Sequence, residues 1–265
     1  MRLGLRGVLV GLSTVSPMFD ALAQDAGLAR QLANPVASLI SLPIQGNYDS
    51  GHGRTNGEQY SVRLQPVVPF SVSDEWKVIS RTILPIVWQQ DIVPRSGEQF
   101  GLGDAQQSFF LSPKRSNASG ILWGAGPIFL LPTGSENLLS TEKWAAGPTA
   151  VALRQAGPWT YGLLANHLWS FAGDDRRRDI NVSFAQPFIA YTTRDTWTFA
   201  LNTEASYDWQ AETRSIPVNA LVSKLVRLGD RPVSLGVGLR YWADSPPNGP
   251  DGLGLRLTVT FLFPR

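Results

Sequence analysis

The sequence predicts an all-β fold, a transmembrane antiparallel up-and-down β-barrel of about twelve strands with short periplasmic turns and longer extracellular loops. Most of the chain alternates apolar and polar residues with a period of two, the periodicity of an extended strand. The connections between these segments alternate in length, and aromatic residues lie near both ends of several apolar faces. The 265 residues suffice for one large β domain.

Composition agrees with such a fold and excludes several function classes. Charged residues make up 17% of the chain, below the roughly 25% of a typical soluble domain. A formal net charge of +2 does not indicate a nucleic-acid surface, so we expect no nucleic-acid partner. The chain has no cysteine, which excludes disulfides and thiolate metal sites. We expect no metal and no cofactor.

Residues 1–23 are predicted to be a secretory signal peptide. Arg2 and Arg6 precede a short apolar run, and Ala21-Leu22-Ala23 fits a small-x-small cleavage site. No later run reaches the ~18–20 apolar residues of a membrane helix. The exported protein is therefore either soluble or a barrel, because only a closed barrel otherwise pairs every backbone polar group inside a bilayer.

Residues 24–35 are predicted to form one or two helical turns beginning near Asp25 and ending at Pro35, as a short periplasmic or plug segment. The barrel would occupy residues 36–265. The period-two pattern places its strands at 36–48, 59–72, 76–89, 101–112, 121–132, 144–154, 159–171, 180–192, 197–209, 215–228, 233–243 and 253–263.

The connections separate a barrel from a soluble sandwich, whose loops need not alternate in length. Links such as 73–75, 155–158 and 193–196 are short, whereas 49–58 and 244–252 are long. Short turns at one end and longer loops at the other are typical of outer-membrane barrels. An even strand number puts both termini on the periplasmic side.

The strand faces give the stronger argument. In residues 197–209, Trp197 and Trp209 bound an apolar face. Twelve steps of ~3.3 Å, tilted by ~45°, rise about 28 Å, close to the ~25 Å apolar band of outer-membrane barrels with its flanking aromatic girdles. A soluble core gives no reason for tryptophan at both ends of a strand, so we favour a barrel in the outer membrane.

Prolines complicate this interpretation, because proline donates no ladder hydrogen bond. We expect β-bulges that form a constriction or lateral opening where prolines fall within predicted strands, at Pro43, Pro66, Pro69, Pro85, Pro127, Pro148, Pro187 and Pro217. The pattern W-x-A-G-P occurs at 123–127 and again at 144–148, which suggests two paired strands.

Charged residues on the polar strand faces should point into the lumen, where a charge must be hydrated or paired. Either they neutralise one another in a filled, purely structural barrel, or they select permeating solutes by charge. Twelve strands should leave a narrow passage, which residues 24–35 could occupy. The predicted pore-lining or solute-binding residues are Arg63, Lys77, Arg81, Asp104, Glu204, Asp208, Arg240 and Arg256.

His167 raises the alternative of an outer-membrane barrel lipase with a Ser–His–Asn arrangement. Asn166 and Ser170 are nearby in sequence, but each points to the face opposite His167 and cannot activate it within one strand. The sequence indicates no partner from a neighbouring strand. We therefore expect no catalytic residues and no enzyme activity, with His167 near the outer aromatic girdle.

Several segments carry a family resemblance, among them L-A-N-P-V-A-S-L-I-S-L-P (32–43), F-G-L-G-D (100–104), K-W-A-A-G-P-T-A-V (143–151), G-P-W-T-Y-G-L-L-A-N-H-L-W-S-F-A-G-D (157–174) and L-N-T-E-A-S-Y-D-W (201–209). The chain resembles the outer-membrane "transporter" family associated with the meta pathway of phenol degradation. The resemblance implies a barrel with a passive transport role and transfers no substrate and no catalytic residues. The chain departs from the usual terminal aromatic residue by ending F-L-F-P-R.

The sequence thus predicts an outer-membrane channel for passive passage of small solutes, with hydrophobic or aromatic compounds as candidates. The alternatives are a structural barrel with a plugged lumen, and the lipase. Expected partners are outer-membrane lipid and lipopolysaccharide, the barrel assembly machinery and a small-molecule solute.

Overall fold

The computed structural model describes residues 17–264, and side chains from residue 24 onward. The signal-peptide prediction lies largely outside the described residues. The described chain forms one α-helix, α1 (Pro17–Leu32), and twelve β-strands, of which β2, β4 and β9 are each interrupted once. The strands are β1 (Ile40–His52), β2 (Gly57–Leu64 and Val67–Ser71), β3 (Trp76–Gln90), β4 (Glu98–Leu102 and Ala105–Pro113), β5 (Ile121–Leu131), β6 (Lys143–Ala156), β7 (Trp159–Gly173), β8 (Asn181–Thr192), β9 (Trp197–Thr203 and Ala205–Asp208), β10 (Thr213–Leu228), β11 (Arg231–Asp244) and β12 (Gly252–Phe263).

Each strand pairs antiparallel with its neighbours in the chain, and the last strand pairs with the first. The closing ladder runs from Ile40 opposite Phe263 to Tyr48 opposite Leu255. The fold is therefore a closed up-and-down barrel, as predicted, and closure leaves no edge strand exposed. We call the end with the longer connections the loop end and the other the turn end.

Burial in this barrel is inverted relative to a soluble protein. On the outward face of β9, Phe199 is 49% exposed and Leu201 50% exposed, whereas inward-facing Arg240 and Arg256 are 3% and 2% exposed. A soluble sandwich would bury the apolar face and expose the charges. An exposed apolar belt around a polar interior instead fits a barrel surrounded by lipid.

Aromatic side chains form two girdles around the outer surface, one near each end of the barrel. Near the loop end, Tyr60 lies between Tyr48 and Trp88, with ring centroids 4.6 and 5.2 Å away. Near the turn end, Trp159 and Tyr191 form a T-shaped pair at 4.8 Å. Amphipathic rings favour the two membrane interfaces, so the pairs mark the expected depth of the bilayer.

The helix and residues 33–39 close part of the turn end. Leu28 and Leu39 are buried against Leu225 and Leu262 of the barrel wall. Val36 continues into the lumen, where it is 1% exposed in a cluster with Ile79, Phe110, Val151, Leu153 and Leu164. Residues 36–39, predicted to begin β1, thus fill the barrel before the first strand starts. No helix of the described residues is long and apolar enough to cross a membrane.

Polar contacts hold this N-terminal segment to the short turns. Asp25 accepts hydrogen bonds of 3.0 and 2.6 Å from Arg227, and Arg30 donates to the Gly157 carbonyl at 3.1 Å. Lys77 of β3 donates to the Val36 carbonyl at 2.6 Å and to the Ser38 hydroxyl at 2.8 Å. Apolar packing and hydrogen bonds therefore both hold the N-terminal segment against the barrel.

Candidate lumenal site

The larger of two lumenal cavities, here the upper cavity, has a volume of about 550 Å³ and is lined on opposite sides by polar and apolar residues. Strands β2, β3, β4, β9, β11 and β12 supply its charged residues, because every second residue of a strand points inward. Six of the eight predicted pore-lining residues line it: Arg63, Arg81, Asp104, Glu204, Arg240 and Arg256.

Glu204 is the centre of the charged side. It accepts a bidentate contact from Arg256, at 2.8 and 3.2 Å. Arg240 and Arg63 approach the same carboxylate at 3.6 and 3.9 Å. Three arginines therefore share one carboxylate, and Arg63, whose side chain is 34% exposed, is the least engaged of them.

Two residues that the sequence did not indicate complete this cluster. Asp49 of β1 forms an ion pair with Arg240 at 3.1 Å, with both side chains nearly fully buried. Trp242 donates its indole N–H to Asp49 at 2.8 Å and lies 4.3 Å below the Arg240 guanidinium. Asp49 was predicted to lie in a loop, and the alternation of polar residues at 45, 47 and 49 was the signal that β1 continues.

The second, lower cavity measures about 330 Å³ and lies between the upper cavity and the N-terminal segment. Its lining includes Ala29, Leu32, Leu39, Val67 and Phe188. The two cavities have five lining residues in common, Gln65, Arg81, Gln186, Asn202 and Leu221. The two cavities are therefore adjacent, one beside the charged cluster and the other beside the N-terminal segment, with these five residues between them.

An apolar groove of about 580 Å³ lies on the outer surface of β7–β12. Small residues such as Ala220 and Gly238 leave space between larger apolar neighbours, and this space forms the groove. The groove and the lower cavity have five lining residues in common, Ile189, Ala190, Ala200, Leu201 and Leu221. Only one layer of largely small or apolar residues therefore separates the lumen from the outer surface here.

The other predicted pore-lining residues lie outside both cavity linings. Lys77 faces inward but is bonded to residues 36 and 38. Asp208 lies at the loop end, where it accepts hydrogen bonds from Arg178 at 3.1 Å and from the backbone N–H of Gln210 at 2.9 Å. Asp104 lines the upper cavity, but its two oxygens accept hydrogen bonds from Ser140 and Thr141 of the loop between β5 and β6.

The loops above the lumen are held by ion pairs. Arg177 contacts Glu142 at 3.2 Å, and Lys143 contacts Asp179 at 3.0 Å. Hydrogen bonds from Arg176 hold the pKa of Asp174 well below its usual range. The segment D-D-R-R-R-D at 174–179 thus connects neighbouring loops to one another. The expected lipopolysaccharide partner of the barrel stays a prediction.

His167 has partners on the adjacent strand that the sequence did not indicate. On the outer face of β7, its Nδ1 lies 2.8 Å from Ser183 Oγ, and its Nε2 lies 2.9 Å from Asn181 Oδ1. Trp209 donates its indole N–H to Ser183 Oγ at 2.9 Å, and the Trp169 ring is 4.0 Å from the imidazole. Since indole only donates, the hydroxyl proton of Ser183 is free for His167 Nδ1.

The closed twelve-stranded barrel, its exposed apolar belt and its polar lumen define the chain as an outer-membrane β-barrel. No protein-family model matches the chain, and a comparison with curated proteins finds no match. The resemblance to the phenol meta-pathway transporters therefore stays a prediction at the level of that particular family.

Solved structures of similar fold exist. The COG4313 outer membrane channel from Pseudomonas putida F1 is 15% identical, with a TM-score of 0.69 over 85% of this chain and 96% of that one. The NanC porin is 13% identical, with a TM-score of 0.54 over 83% and 98%. The Salmonella typhi outer membrane phospholipase is 10% identical, with a TM-score of 0.50 over 91% and 98%. At such identities the similarity concerns the fold, so function has to be argued from the site.

Proposed function

We propose that this protein is a passive outer-membrane channel for small solutes, hydrophobic or aromatic compounds among them. The observation that carries the proposal is the presence of two adjacent lumenal cavities, which share the lining residues Gln65, Arg81, Gln186, Asn202 and Leu221. A purely structural barrel would gain stability by filling this space, since empty volume forfeits packing contacts.

The preference for apolar solutes rests on the lower cavity and the outer groove. A solute that descends through the upper cavity meets the apolar residues Leu39, Val67 and Phe188. Ala190 and Ala200, which pair in the β8–β9 ladder, line both the lower cavity and the outer groove. In this proposal, a solute reaches the membrane laterally when the ladder opens at this pair, and the N-terminal segment blocks the turn end until its hydrogen bonds to the barrel break.

Single-channel conductance tests the channel directly. We expect purified protein in planar bilayers to conduct KCl weakly, and Asp25→Asn combined with Arg227→Gln to raise conductance at least twofold by releasing the helix. Arg194→Gln is the matched control, because Arg194 is an exposed turn residue at the same end of the barrel. If neither wild type nor the double variant conducts above protein-free bilayers, the structural, plugged barrel is the better description.

A second candidate function, hydrolysis of acyl esters, is favoured by the Ser183–His167–Asn181 arrangement. His167 Nδ1 could accept the Ser183 proton as Oγ attacks an ester carbonyl, and Asn181 would hold the imidazole. The cluster lies beside Trp169 and Trp209, at the depth of a membrane interface. Against catalysis, β8 is hydrogen-bonded to both neighbouring strands at Ser183, so its backbone N–H groups serve the ladders rather than an oxyanion hole.

We therefore propose that the cluster is structural and that transport is the function. Reconstituted protein with phosphatidylcholine should release no more fatty acid than the Ser183→Ala variant. Turnover by wild type that disappears in both Ser183→Ala and His167→Gln would instead establish the hydrolase. The channel measurement is independent of this result, because Ser183 and His167 lie on the outer surface.

A further inference from the structure

Arg81 occupies a distinctive position in the lumen. It lies on β3 opposite Val67 of β2 and Ser108 of β4, at the junction of the upper and lower cavities. Among the described residues that line the lower cavity, Arg81 is the only charged one. The other lining residues are polar or apolar but uncharged, and a charge enclosed in a barrel requires a compensating partner or water.

Within the described residues, Arg81 has no carboxylate within ion-pair distance. Its side-chain hydrogen bond goes to the neutral Gln65 Oε1, at 2.9 Å. A guanidinium carries five N–H donors in a planar fork that matches a carboxylate. The nearby carboxylate of Glu204 is already bound bidentately by Arg256. Arg81 thus retains guanidinium N–H groups that are available to donate hydrogen bonds to a solute in the cavities.

Arg63 adds positive charge on the same side. Its closest carboxylate contact is 3.9 Å from Glu204, longer than a hydrogen bond. The upper cavity is lined by four arginines and two carboxylates, with Asp49 as a third carboxylate behind Arg240. The lining of the cavity therefore has a surplus of positive charge, and Arg63 and Arg81 are its least neutralised members.

We propose that the junction of the two cavities binds the carboxylate of a small organic acid whose apolar body occupies the lower cavity. Arg81 donates to the carboxylate, Arg63 contributes charge, and residues such as Val67 and Phe188 contact the body. The lower cavity lies at the small end of the ~300–1,000 Å³ range of ligand pockets, which suits an acid of about one ring. This inference rests on the proposed channel and names a solute class for it.

Equilibrium dialysis of purified protein at fixed ionic strength tests this site, with benzoate and its neutral analogue benzamide as probes. We expect wild type to bind benzoate at least tenfold more tightly than benzamide. Arg81→Gln should remove about tenfold of benzoate affinity and leave benzamide binding unchanged, because only a charged ligand uses the guanidinium. Arg81→Lys should be intermediate, since it keeps the charge and loses the fork. Arg115→Gln, in an exposed turn, is the matched control.

Equal binding of benzoate and benzamide by wild type would overturn the proposal, and so would unchanged benzoate affinity in a folded Arg81→Gln variant. If that variant does not fold, Arg63→Gln replaces it and should weaken benzoate binding about threefold; an unchanged value contradicts the proposal. The KCl conductance without benzoate tests the channel separately. If the protein prefers benzoate to benzamide but does not conduct KCl, the channel is refuted and the carboxylate site stands. If it conducts KCl but binds benzoate and benzamide equally, the carboxylate site is refuted and the channel stands.

Discussion

Glu204 illustrates how a single residue organises the lumen. Its side chain is 14% exposed, and it is the shared carboxylate of Arg63, Arg240 and Arg256. A buried ion pair repays its desolvation only when its geometry and hydrogen bonds are good, as in the bidentate contact with Arg256. Removing one partner is costly because the remaining charge stays buried.

We predict that Glu204→Gln destabilises the barrel more than Arg256→Gln does. Without Glu204, three arginines face one another, whereas without Arg256 the carboxylate keeps Arg240 and Arg63 within 4 Å. We expect losses of about 4 and about 3 kcal/mol, within the range for broken buried pairs. The double variant should lose less than their sum, because the two residues interact directly.

Urea unfolding of the refolded barrel, followed by tryptophan fluorescence, measures these differences. Glu75→Gln is the control, because Glu75 lies in an exposed turn. A Glu204→Gln variant as stable as this control would mean that hydration, and not Glu204, stabilises the arginine cluster.

At the scale of elements, the sequence predicts strands well and their interruptions poorly. All twelve predicted strands are present, because the period-two pattern is a local property of each segment. The proline hypothesis was only partly right. The register shifts at Pro217, and β2 breaks beside Pro66, but Pro43, Pro69 and Pro187 lie in regular ladders. A proline disturbs a ladder only where its missing N–H would have donated, which depends on the partner strand.

The same limit applies to the sites. The inward position of Glu204 and Arg256 follows from parity within their own strands, so the sequence predicts it. Their contact joins β9 to β12 across the lumen, and no local pattern encodes that distance. The sequence singles out His167 but not its partner Ser183 for a related reason, since parity gives the face of a residue but not the register that makes the two residues neighbours.

The repeated W-x-A-G-P pattern has a structural reason in its glycines. The two copies pair as predicted, with Pro127 opposite Pro148. A Cβ at Gly126 would lie 2.1 Å from the Phe109 carbonyl oxygen, and one at Gly147 would lie 1.8 Å from that of His167. Glycine therefore allows the backbones of β4–β5 and β6–β7 to approach closely beside each proline.

We predict that Gly126→Ala and Gly147→Ala each destabilise the barrel by about 2 kcal/mol or more, because a backbone carbonyl cannot move aside as a flexible side chain could. Gly46→Ala is the matched control, since Gly46 lies in β1 with nothing within 4 Å of an added Cβ. The midpoint of urea unfolding and the heat-modifiable gel shift provide the measurement. Equal midpoints for Gly147→Ala and Gly46→Ala would show that the backbone around Gly147 shifts enough to accommodate a Cβ without loss of stability.

At the scale of the whole molecule, the distribution of polarity carries the functional argument. The outer surface exposes apolar side chains such as Leu201 and Val237, while the charges are enclosed with the two cavities. Lipid supplies the contacts that a protein core would otherwise supply, and the lumen supplies the hydration that the charges require. The barrel wall thus separates lipid from the hydrated lumen, and the lower cavity and the outer groove lie on its two sides at Ala190 and Ala200.

This arrangement predicts the orientation of the chain in an outer membrane. The chain has no cysteine, so each introduced cysteine is a unique label. Asp175 and Asp195 form a matched pair, because both are exposed aspartates, one in a loop and the other in a short turn. With a bulky water-soluble maleimide, Asp175→Cys should react on intact cells and Asp195→Cys only after the outer membrane is permeabilised. Leu201→Cys, on the apolar belt, should react only after denaturation. Labelling of Asp195→Cys on intact cells would invert the orientation, and labelling of Leu201→Cys there would mean that water, not lipid, covers this face.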